Sequence, residues 1–243
     1  MTAHWLEEAV NACGLTAPSR YPRDLASELL WLPFIEMVAM PELSPDAMRA
    51  WLSRRGVRHP VAADTHELTG CMVAERGHGF LFFDSSRERT EQRFTIAHEF
   101  AHFVLEQVLP RRKAVEVFGD AILQVLDGER EPTPEESLTA LFERIALGRQ
   151  PNLMARDDSG LPASRAVMEA EHRADLLALE LLAPEALALP LVKNSPSDQE
   201  ARGRLVFRFG IPWDMAEPYV HWLRERLRVP RFSIDAFLGV EGE

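Results

Sequence analysis

Cysteine is nearly absent from this chain of 243 residues: Cys13 and Cys71 are the only two. They form no C-x-x-C pair, so neither a disulfide framework nor a zinc ribbon is available, and a reducing cytoplasm is the expected setting. Positive charge is also scarce, with 27 Lys and Arg against 38 Asp and Glu and a formal net charge of −11. An excess of that sign disfavours broad binding to a phosphate backbone, and no direct nucleic-acid partner is expected. Long apolar runs are missing too. The most apolar stretch, Leu176 to Val192, is interrupted by Glu180, Pro184, Glu185 and Pro190, which excludes it as a membrane span. The first residues show no basic segment followed by an apolar run, so no signal peptide is expected. Internal repeats and low-complexity tracts are lacking as well. The 46% hydrophobic composition is that of an ordinary globular protein with a sizeable core.

Against this plain background stands Phe94-Thr95-Ile96-Ala97-His98-Glu99-Phe100-Ala101-His102-Phe103-Val104-Leu105. Residues four apart share a helix face, so His98 and His102 are placed to hold one metal ion. Glu99 is too close in sequence to be a third ligand and is well placed as general base and then acid on a metal-bound water. Apolar residues surround the polar ones, so the helix is expected to be buried, and buried His and Glu need partners.

A third ligand is not local, because Leu105 and Val108 occupy the positions where a glycine and a histidine would complete that pattern. The segment Glu171-His172-Arg173-Ala174-Asp175 offers a glutamate and, four residues on, an aspartate. It opens an apolar-faced helix predicted to stop near Pro184. Glu171 is therefore assigned as third ligand and Asp175 as the group that orients a histidine, with Glu169 as the rival ligand. Zinc is the expected metal.

Two motifs now resemble a known family. Arg93 to His102 is similar to the R-F-T-L-A-H-E-L-G-H signature of the ImmA/IrrE family of bacterial zinc metallopeptidases. Glu171 to Pro184 is similar to that family's E-x-E-A-N-x-F-A-x-E-L-L-x-P, and Leu205 to Ile211 gives a weaker echo of its F-G-V-S turn. Arg173 replaces a second glutamate, Ala101 replaces a glycine, and the spacing between motifs is long. The resemblance implies a zincin-like, helix-rich α+β fold with a small sheet. It also implies a cytoplasmic zinc endopeptidase acting on a particular protein, often a helix-turn-helix transcriptional repressor, in a stress response or a mobile element. The alternatives are a regulatory protein that binds a repressor or antitoxin without cutting it, and the toxin of a toxin–antitoxin pair.

Three regions are expected: a helical one at 1–60, a metallopeptidase core at 61–184 with an insertion at about 106–165, and a helical one at 185–243. In the first, Thr2 and Ser44 are predicted helix caps, and the apolar run Leu25 to Met40 reads as helical. Cys71 to Phe83 reads as two strands around Arg76-Gly77, with Gly79 to Asp84 as the strand that would pair with an extended substrate. Thr133-Pro134-Glu135-Glu136 is a capping box, and Leu138, Leu141, Phe142 and Ile145 share the face of the helix it opens. The segment from Gly148 to Ala163 is a candidate lid. Ser195-Pro196 is expected to open a helix ending at Gly210, followed by another from about Asp214 to Arg228. The five tryptophans are expected in the core. His172, Tyr219 and His221 are candidate oxyanion donors, and no substrate-binding residue is assigned.

Overall fold

In a computed structural model, the structure describes residues 4–57, 68–147 and 165–228. Thr2, the segment from Gly148 to Ala163 and Arg231 lie outside the described residues. The elements run α1 (His4–Ala12), α2 (Leu25–Leu29), β1 (Ile35–Met40), α3 (Pro45–Arg54), β2 (Gly70–Glu75), β3 (His78–Asp84) and α4 (Arg89–Phe103). There follow α5 (Leu109–Phe118), α6 (Leu123–Leu126), α7 (Pro134–Glu143), α8 (Arg165–Leu182), α9 (Glu185–Lys193), α10 (Asp198–Phe209) and α11 (Trp213–Arg228). This is a helix-rich α+β architecture with a three-stranded mixed sheet.

The hairpin forms where Arg76 and Gly77 both take positive φ (51° and 77°). That is the conformation a two-residue hairpin turn needs to match strand twist. Strand β3 lies in the centre, antiparallel to β2 and parallel to β1, with Ile35 opposite Gly79 and Gly70 opposite Phe83. Its apolar run serves both faces. Phe80 and Phe82 pack with Val38, Met48 and Leu52 on the α3 side, and Leu81 and Phe83 join the main core with α4. Both of its backbone edges are used, so β3 is not the strand that an extended peptide could join. That role cannot fall on Gly79 to Asp84.

The run Leu25 to Met40 is likewise not one helix. It divides at Pro33 into α2 and the edge strand β1. Proline cannot continue the ladder of helix hydrogen bonds, and beyond it Ile35 and Met37 face the main core while Val38 and Met40 face α3, a period of two. Ser44 caps α3 with Pro45 at its first position, as its sequence predicts. The cap of α10 is Ser197 rather than Ser195, whose hydroxyl donates to the Leu191 carbonyl.

One apolar cluster runs from Leu6 in α1 to Leu223 in α11 and encloses Ile96, Phe100 and Phe103 of α4. Full burial of a phenylalanine contributes roughly 1.5–3 kcal/mol. Helix α4 packs closely on α8, with Ala97, Ala101, Ala174 and Ala178 all fully buried. Three side chains tie distant segments to backbone carbonyls. Buried Arg23 donates to Leu181 O (3.0 Å), Tyr219 Oη to Ala183 O (2.7 Å), and Arg93 to Gly210 O (2.8 Å). The first two satisfy carbonyls at the C-terminal end of α8, which have no partners inside the helix. The third joins the first motif to the glycine of the third. No tryptophan is fully buried, and Trp31 is 87% exposed. Arginine guanidinium groups instead cover Trp5, Trp51, Trp213 and Trp222. No helix among the described residues is long and apolar enough to cross a membrane.

Candidate metal centre

Helix α4 presents His98 and His102 one turn apart, and α8 brings Glu171 against them from the other side. His98 Nε2 and His102 Nε2 lie 3.1 Å apart. Glu171 stands with Oε2 at 3.3 Å from the first and Oε1 at 3.7 Å from the second. The last two separations are long for hydrogen bonds. All three fit another description: ligands about 2.0–2.2 Å from a tetrahedral zinc are spaced by roughly 3.3 Å. His98, His102 and Glu171 together offer ligand atoms within 4.8 Å of one another, the single such group among the described residues. The donor set of two imidazoles and one carboxylate suits a catalytic metal with an open position.

Each histidine is fixed through its other nitrogen. His98 Nδ1 lies 2.9 Å from Asp175 Oδ1, the aspartate one turn beyond Glu171. His102 Nδ1 lies 2.7 Å from Glu106 Oε1. Asp175 is where the sequence motif places it. Glu106 was not singled out from the sequence, although its i+4 spacing from His102 was a usable signal. Burial opposes positive charge on both rings, but the carboxylates outweigh it. Asp175 and Glu171 push His98 up to about 10, and Glu106 and Glu171 push His102 up to about 9. Glu171 is held far below the usual carboxylate range by His102 and then His98.

Glu99 points beside this group from the same helix and is 4% exposed. Burial raises its pKa, with His98 and His102 opposing the rise. Its Oε2 is buried without a hydrogen-bond partner, which leaves an acceptor available in the site. The carboxylate fits because the first residue of β2 is glycine. A Cβ on Gly70 would stand 2.4 Å from Thr95 Cγ2 and 2.9 Å from Glu99 Cγ. A narrow cleft lined by Met72, Ala74, Glu99, His102, Phe103 and Glu106 opens alongside.

The remaining candidates fall elsewhere. His172 is exposed, His221 is 73% exposed and pairs with Glu225, and the Tyr219 hydroxyl is committed to Ala183 O. Glu169 is exposed on α8, while Glu171 is the carboxylate that meets the histidines.

A His-Glu-x-x-His helix facing a glutamate from a second helix, beside a small mixed sheet, defines a zincin-type metallopeptidase arrangement. The comparison with protein families agrees: residues 59–121 are similar to the IrrE N-terminal-like domain of the peptidase M78 family. The match takes in β2, β3, α4 and Glu106 and ends before α8, so Glu171 and Asp175 lie beyond it. No curated protein and no solved structure matches the chain.

Proposed function

We propose that this protein is a zinc-dependent endopeptidase in which His98, His102 and Glu171 hold the metal and Glu99 moves the proton. The observation that carries the reading is the convergence of two Nε2 atoms and one carboxylate at tetrahedral spacing beside a buried glutamate with an unpartnered oxygen. Zinc, when bound, supplies a Lewis acid for the scissile carbonyl and lowers the pKa of a bound water to about 7. Glu99 Oε2 accepts the proton of the attacking water and returns it to the leaving amine. Burial helps the first step, since a carboxylate shielded from bulk water takes up a proton more readily than an exposed one. Asp175 keeps the His98 ring turned so that Nε2 faces Glu171. The substrate is a specific protein, and the resemblance of the motifs points to a helix-turn-helix repressor whose cleavage relieves repression.

Zinc content and cleavage are measured together. Wild-type protein should hold about one zinc per chain, and His102→Ala and Glu171→Ala should lose most of it. Glu99→Gln should keep zinc while cleavage of repressors encoded nearby falls about 10²–10⁴-fold. Zinc-free wild type after zinc addition and dialysis would sink the metal site. Undiminished cleavage by Glu99→Gln would sink the assigned proton transfer.

A further inference from the structure

We propose that Glu106 is a positioning residue for the metal centre, presented to His102 by a widened helical turn, an assignment that rests on the zinc reading above. A histidine that gives Nε2 to a metal carries its proton on Nδ1, and that proton needs an acceptor. The His102 ring is only 5% exposed, so water is a poor candidate. Glu106 Oε1, at 2.7 Å and itself 17% exposed, is the acceptor in place.

The turn that carries it has a cause in the sequence. Between α4 and α5, residues Val104–Val108 form a π-helical turn in which the Leu109 amide donates to Val104 O, five residues back. Pro110 follows at once. A proline ring within a regular α-helix clashes with the carbonyl four residues earlier, here that of Glu106, and provides no amide to bond it. A wide turn relieves that conflict, and single π-turns recur where helices carry functional groups. The two histidines are thus braced from different elements: His98 from α8, which also supplies Glu171, and His102 from the passage into α5. The cleft beside Glu99 reaches the same glutamate.

The test compares zinc affinity, by chelator competition, for wild type, Glu106→Ala, Glu106→Gln and Glu106→Leu, with Glu116→Ala on the exposed side of α5 as the charge-matched control. Glu106→Ala and Glu106→Leu should bind zinc about 10–100-fold more weakly. Glu106→Gln, whose amide oxygen still accepts a hydrogen bond, should recover part of the loss. The cobalt-substituted Ala and Leu variants should show altered visible absorption bands, which loss of a merely structural contact far from the metal would not produce. Glu106→Leu keeps side-chain bulk and helix propensity, so it stands in if the alanine variant fails to fold. Zinc affinity and cobalt spectra equal to those of Glu116→Ala would overturn the proposal while leaving the ligand set intact. Wild type that binds no zinc would overturn the ligand set, and this assignment with it.

Discussion

The body that carries the candidate metal centre and the segment that follows α4 solve the same problem of burying apolar side chains very differently. In the body, Phe100, Phe103, Leu177 and Leu181 belong to one cluster that reaches from α1 to α11. The segment from α5 to α7 has a small core of its own, made of Ala114, Ile122, Val125, Leu126, Ala140 and Ile145. Its last helix turns Leu138, Leu141 and Phe142 outward, at 56%, 74% and 75% exposure. Those three share a helix face, as their spacing predicts, but Ile145 does not continue it: the helix ends at Glu143, Arg144 turns left-handed, and Ile145 is buried beyond that turn. Amphipathic spacing therefore reports which residues lie together, and the neighbouring elements decide whether that face is covered.

Substitutions of aromatic residues should widen the contrast most. Phe100→Ala removes a fully buried ring from α4 and is expected to cost about 3–5 kcal/mol in denaturant unfolding. A loss below about 1 kcal/mol would show that the body is loosely packed around the metal helix. A second effect, intermediate in size, belongs to the body alone. Without a cation, His98 and His102 bind protons up to about pH 10 and 9, whereas Glu171 is already ionised. Ligand histidines must be neutral, so zinc uptake at pH 7 should release protons. Affinity should rise with pH through this range. Calorimetry in buffers of different ionisation enthalpy checks this, and uptake without proton release would contradict it. The smallest effect is expected at the surface of α7. Phe142→Ser should change unfolding free energy by no more than about 0.5 kcal/mol. A loss of several kcal/mol would mean that this face is covered in solution.

Much of the site was legible because its parts lie at helix spacings. His98 and His102 follow from i, i+4 geometry, and the Glu171-x-x-x-Asp175 spacing places a carboxylate at both His98 nitrogens. Glu106 obeys the same rule, but it fell within the part read as an insertion, where Pro110 signals a helix break rather than a widened turn. Strand β1 was hidden for the opposite reason: Leu25 to Met40 is apolar throughout, and such a run does not show its period until Pro33 divides it. The central position of β3 could not be read at all, because strand order depends on which distant segment pairs with it. The C-terminal end of α8 shows a similar limit. Pro184 marks its stop, while the partners of its last carbonyls, Arg23 and Tyr219, come from far along the chain.

The close packing of α4 on α8 makes the centre behave as a caliper with two jaws. Both histidines ride on one jaw, and Glu171 and Asp175 ride together on the other. Both jaws carry fully buried alanines, Ala97 and Ala101 on one and Ala174 and Ala178 on the other, within the one apolar cluster that the two helices share. The spacing of the candidate ligands thus depends on residues that are not among them. A valine at Ala101 or Ala174 would open the jaws and detune the centre while every ligand stayed in the sequence.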